Sequence, residues 1–128
     1  MARKTRVFVS FDFDNDQKLK TFILAQAKNA DSPFAIENWS LNEPAPERTW
    51  KEKAALRIAR ADVMLVMVGP KTYKAPGVLT EVKIAKDLEV PIRQVIGYRD
   101  ANPAPVPGAG RLYRWSWPTI KSLLTIDA

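Results

Sequence analysis

Histidine and cysteine are both absent from the 128 residues of this chain. Without histidine there is no Ser-His-Asp triad, no imidazole base and no histidine-held metal. Without cysteine there are no disulfides, no thiolate nucleophile and no cysteine-ligated zinc, and the cytoplasm is the expected compartment. Glycine is scarce, with five in the chain. Gly69 and Gly77 form neither a Walker loop nor a dinucleotide fingerprint, which argues against P-loop hydrolysis and hydride transfer. No apolar run approaches the roughly 18 residues of a membrane span. The run "VFVSF" behind the basic "MARKTR" is too short for a secretory signal. Chemistry is left to carboxylates, lysines, hydroxyls, backbone dipoles or a bound cofactor.

What is present describes one compact domain, residues 1–128, with 46% hydrophobic residues to fill a core. The net charge of +6 is spread along the chain. It suits a phosphate-bearing small ligand or weak nucleic-acid contact, and no basic-aromatic stripe supports specific nucleic-acid binding. "RVFVSF" (6–11) and "FAIENW" (34–39) read as strands. "DVMLVMVG" (62–69) is a nearly continuous apolar run, as expected of a central strand buried on both faces, and "PIRQVIGY" (91–98) reads as another strand. Helical spacing appears at Leu19, Phe22, Ile23 and Ala27, and again at Trp50, Ala54, Ile58 and Ala61. "RLYRW" suits a short edge strand, and "WPTIKSLLTI" a last helix with Pro118 in its first turn. This alternation predicts a parallel sheet covered on both faces, a three-layer α/β/α sandwich. In such sheets ligands lie beyond the carboxyl ends of the strands, at the switch in strand order.

"GVLTEVKIAKDLEV" (77–90) holds the most informative residue. On a helical projection Val78, Val82, Ala85 and Leu88 share one face, and Glu81 falls inside that arc. A carboxylate on the buried side of a helix is costly unless something uses it. Two readings stand: a structural acid, paired with an arginine or favoured by the helix's positive end, or a functional carboxylate at the cleft. "DFDND" (12–16) is no calcium loop, because Gln17 and Ile23 stand where glycine and glutamate are required. A phospho-receiver is excluded too, because the third strand ends in Val68-Gly69 without an acid. Asp14 or Asn15 is expected to cap the first helix, while Phe11 and Asp12 sit where a ligand would lie.

"VFVSFDFDND", "ENWS" and "RIARADVMLVMVGPKTYKAPGVLTEVKIAKDLEVPI" together resemble the TIR-like domains of prokaryotic defence, in particular the ThsB proteins of Thoeris systems. Ser10-Phe11, Arg60 to Gly69, Thr72, Glu81, Ala85, Pro91 and Ile92 carry the resemblance, which covers nearly the whole chain. It implies a flavodoxin-like, TIR-like parallel sheet of four to five strands. It also implies an enzyme that uses NAD as substrate, with no permanently bound cofactor or metal. Such an enzyme breaks the nicotinamide–ribose bond and releases an ADP-ribose-derived signal to a downstream effector.

By that resemblance Glu81 is the catalytic carboxylate, with Ser10, Phe11, Asp12, Trp39, Ser40, Thr72 and Tyr73 as candidates for binding substrate. Many NAD-cleaving members have tryptophan four residues before the glutamate, where this chain has Gly77. The aromatic wall is then expected from Phe11, Trp39 or Tyr73, although core packing explains aromatics at such positions as well. Self-association with other TIR-like domains is expected, and "SLNEPAPERTW" is a proline-stiffened loop suited to contacting a neighbour. The alternative to catalysis is a non-catalytic TIR-like interaction module.

Overall fold

The computed structural model describes residues 4–12, 15–39, 47–98 and 101–125. Five parallel strands form one sheet in the order β2-β1-β3-β4-β5. They are β1 (Thr5–Ser10), β2 (Phe34–Trp39), β3 (Val63–Val68), β4 (Ile92–Ile96) and β5 (Leu112–Tyr113). The helices are α1 (Gln17–Ala27), α2 (Glu47–Ala59), α3 (Pro76–Asp87) and α4 (Trp117–Leu123), with a short 3₁₀ turn at Thr72–Lys74 ahead of α3. This is the α/β, flavodoxin-like architecture that the strand–helix alternation predicts.

The chain leaves β1 towards β2 on one side and returns to β3 on the other, so the switch in strand order lies between β1 and β3. Their register pairs Val7 with Val63 and Ser10 with Val66. Every residue of β3 is buried, as its unbroken apolar run requires of a strand covered on both faces.

Side-chain alternation then divides two cores. Val7, Val9, Phe11, Leu65 and Met67 pack with Leu19 and Ile23 of α1 and with Ile120 of α4. Phe8, Met64, Val66 and Val68 pack on the other face with Ala54 and Ile58 of α2 and with Val78, Val82 and Ala85 of α3. Ser10 follows Phe8 by two and so faces the α2/α3 layer.

Local departures from expectation have local causes. Leu88 is not on the buried stripe of α3. The helix stops at Asp87, Glu89 takes a left-handed φ of 59°, and Leu88 is left exposed. Phe22 lies on the outer side of α1, edge-on to Trp115 at 4.6 Å between ring centroids. The cap residue of α1 is Asp16 and not Asn15, and its carboxylate makes no capping bond. The Asn15 amide instead donates to Asp12 Oδ2 at 2.7 Å; Asp14 lies outside the described residues. No helix among the described residues is long and apolar enough to cross a membrane.

The proline-rich connection between β4 and β5 is held from beneath by Gln94, while Arg114 bonds its start at Ala101 and Asn102. Gln94, fully buried in β4, donates through Nε2 to the carbonyls of Gly110 at 2.6 Å and Val106 at 3.3 Å. Its Oε1 accepts from the Val106 amide at 2.8 Å. A polar residue in the strand thus adds partners to the loop's backbone groups, of which the Val106 carbonyl also accepts from the Ala109 amide at 3.2 Å.

Candidate active site

The 3₁₀ turn and Pro76, in the first turn of α3, start the helix where the β3 loop ends. Val78, Glu81, Val82 and Ala85 then face inward together. Glu81 is 2% exposed. Ser10, the last residue of β1 and fully buried, donates its hydroxyl to Glu81 Oε1 at 2.8 Å. A hydrogen bond to a carboxylate is stronger than one between neutral groups. The two residues are 71 apart in sequence and meet because β1 and β3 adjoin at the switch point.

Around Glu81 is a small cavity of about 10 Å³, lined by Phe8, Trp39, Trp50, Lys53, Ala54 and Arg57. That is about the space of one water. Trp50, Lys53, Ala54 and Arg57 recur at i, i+3, i+4 and i+7, and so form one stripe of α2 turned towards α3. A Cβ on Gly77 would lie 3.8 Å from Trp50 Cζ2, so the indole of Trp50 occupies the room over this glycine. Trp39 closes the cavity from the end of β2, with the Lys20 ammonium 4.2 Å from its ring centroid.

A second polar cluster joins the loops after β1, β3 and β4. Asp16, buried, accepts from the Tyr98 hydroxyl at 2.6 Å and from Thr72 Oγ1 at 3.4 Å. The Gly69 amide donates to Thr72 Oγ1 at 2.7 Å. A side chain at 69 would collide with the carboxylate, since a Cβ there would lie 2.3 Å from Asp16 Oδ2. Burial, then the hydrogen bond to Asp16, then the charges of Asp16 and Asp12 push the Tyr98 phenol above its ordinary value. A more open hollow of about 290 Å³ borders this cluster, lined by Asn15, Asp16, Pro70, Lys71 and Tyr98. Among the described residues no group of three or more metal-ligating side chains is assembled.

The family described as Thoeris protein ThsB, TIR-like domain, matches residues 8–99, or 92 of the 128. The chain belongs to this TIR-like family. No curated protein matches it significantly. The family points to a role in defence. The matched region runs from Phe8 through both polar clusters, while β5 and α4 lie beyond it.

Within this ThsB-type TIR-like domain, Ser10 and Glu81 are hydrogen-bonded and Trp39 lines the same cavity. Phe11 packs in the α1/α4 core, on the other face of the sheet from the α2/α3 layer. Asp12, also buried, takes the Asn15 amide and receives the backbone N–H of Asp16 on its carbonyl. Thr72 is fully buried in the Asp16 cluster, and Tyr73 is exposed beside Lys74. Ser40 and the loop 40–46 lie outside the described residues. Lys53 and Arg57 are cavity residues that the sequence reading did not single out, and Trp50 is one that it placed only on a helix face. Their signal was the i, i+3, i+7 spacing of Trp50, Lys53 and Arg57 along α2.

Proposed function

We propose that this TIR-like domain cleaves the nicotinamide–ribose bond of NAD, with Glu81 as the catalytic carboxylate. The observation that carries the reading is the near-complete burial of Glu81, bonded by Ser10, in a cavity walled by two tryptophans at the switch point. A carboxylate so placed is positioned to stabilise the oxocarbenium-like charge that develops on the ribose as the bond breaks. The C–N bonding pair leaves with nicotinamide, which departs neutral, so no protonating histidine is needed. Water captures the ribosyl cation and loses a proton, giving ADP-ribose. Capture by a group of the same nucleotide would give a cyclic product. Ser10 is a positioning residue that holds the carboxylate in one orientation. The product serves as a nucleotide signal to a defence effector in the cytoplasm, and self-association with other TIR-like domains assembles the active form.

The test is NAD depletion with nicotinamide release by wild type, compared with Glu81→Gln on the same preparation. The substitution keeps size and hydrogen bonding but removes the charge, and a preorganised electrostatic group of this kind is worth roughly 10²–10³ in rate. The melting temperature should hold, whereas a purely structural acid would lower it and leave turnover intact. Wild-type turnover in a folded Glu81→Gln protein refutes the assignment. The competing reading is a non-catalytic interaction module. The cavity volume of about 10 Å³ favours it, since a dinucleotide needs some hundreds of Å³. It predicts no NAD cleavage in any assembly state.

A further inference from the structure

The cavity over Glu81 has a charge order of its own. Its floor carries a buried carboxylate, and its α2 wall carries two cations, Lys53 and Arg57, about one turn apart. Side chains on a helix lean towards its N-terminus, so both cations lean towards Trp50, at the start of the same stripe. Seven residues of helix separate Trp50 from Arg57, roughly 10 Å along the axis. NAD bears the matching charges in the matching order: a cationic ring, a ribose, then a doubly anionic diphosphate. The floor residues Phe8, Ala54 and Glu81 are buried, whereas Trp39, Trp50 and Arg57 are partly exposed and Lys53 is exposed. Any widening of the cavity for a dinucleotide therefore falls to these outer side chains and not to the buried floor.

We infer that the α2 stripe is the specificity wall of this site, with Arg57, seconded by Lys53, taking the diphosphate of the dinucleotide. The inference rests on the NAD reading of Glu81 and adds what selects the substrate. Arg suits this part because its planar fork meets two phosphate oxygens at once. Arg57 is then a binding residue and contributes to affinity for the whole dinucleotide, not to the bond-breaking step.

The experiment uses the full chain, with NAD turnover and ADP-ribose binding measured side by side. Arg57→Ala is expected to raise KM for NAD about 10-fold with kcat unchanged, and to weaken ADP-ribose binding by the same factor. Lys53→Ala, at an exposed position, should show the same pattern more weakly. Arg57→Lys should recover part of the loss. In a Glu81→Gln background, Arg57→Ala should still weaken ADP-ribose binding, by a factor that differs somewhat from wild type because the two residues line one cavity. A fall in kcat with KM unchanged, or a binding effect that vanishes in that background, means that Arg57 acts through Glu81 and overturns the inference. ADP-ribose binding that is indifferent to both substitutions overturns it too, while Glu81 catalysis stands. Wild type that binds ADP-ribose through Arg57 yet never cleaves NAD reverses the outcome: the wall stands and the catalytic reading falls. Absence of ADP-ribose binding by wild type defeats the inference outright.

Discussion

Ser10→Ala removes one hydroxyl from a place with almost no solvent, and its cost can be worked out. Ser10 is fully buried, Glu81 is 2% exposed, and the bond between them is 2.8 Å. Hydrogen bonds to charged groups contribute about 1.5–3 kcal/mol. An unfolding entropy near 2.1 cal/mol/K per residue gives about 0.27 kcal/mol/K for 128 residues. The melting temperature should therefore fall by about 6–11 °C. The adjoining space of about 10 Å³ is the least that a water needs, so solvent replacement puts the expected value near the low end. The assay is thermal unfolding of Ser10→Ala, Glu81→Gln and the double variant. If Ser10 acts on the carboxylate, losing it should cost less in the Glu81→Gln background, nearer 1 kcal/mol or about 4 °C. NAD turnover should fall with Ser10→Ala as the carboxylate loses its fixed orientation. A melting temperature within 2 °C of wild type (a threshold well below the roughly 6 °C expected), or strict additivity with Glu81→Gln, refutes the pairing as a stabilising element.

Gln94→Leu keeps the volume but strips three hydrogen bonds from the Val106–Gly110 turn. It should cost about 2–4 kcal/mol in urea unfolding and speed proteolysis of the 101–110 connection; unchanged stability would refute the clamp. Gly69→Ala drives a Cβ to 2.3 Å from Asp16 Oδ2. It should destabilise by about 1–3 kcal/mol, with partial recovery in Gly69→Ala/Asp16→Ala, measured by thermal unfolding. Tyr98 has a folded-state pKa raised by burial and by Asp16. Its stabilising contribution is complete below the unfolded tyrosine value near 10 and declines as pH rises above it, because the unfolded chain then ionises first. Tyr98→Phe should flatten that alkaline decline, and identical pH profiles for the two proteins would count against the Asp16 contact.

Much of this architecture is legible in the sequence because each element rests on a strong local pattern. "VMLVMV" has no polar residue to place, so burial on both faces, and hence a central position, follows directly. Even the two-residue strand at Leu112–Tyr113 and Pro118 at the head of α4 read correctly. Helix ends were harder: the left-handed turn at Glu89 that strands Leu88 has no glycine to announce it. The cap of α1 was expected at Asp14 or Asn15 but falls at Asp16, whose carboxylate is drawn away by Tyr98 and Thr72, both more than fifty residues distant. Propensity cannot see a partner that only the sheet order supplies.

The candidate site divides along the same line. Glu81 stands out from periodicity alone, since an acid within an apolar arc needs a reason. Its companions depend on facts that only three dimensions hold. Neighbouring residues of a strand face opposite layers, so Ser10 and Phe11, equal in the sequence argument, part company: one bonds Glu81 and the other fills the α1/α4 core. Trp50 was legible as a helix-face aromatic, but its place over Gly77 requires α2 and α3 to lie side by side. The ring lies at ordinary van der Waals range from where a Cβ on Gly77 would be, so this neighbour is set by the packing of the two helices. Motif position along the chain therefore finds the carboxylate, while the residues that would surround its substrate follow from which helix the β2-to-β3 crossover lays beside it.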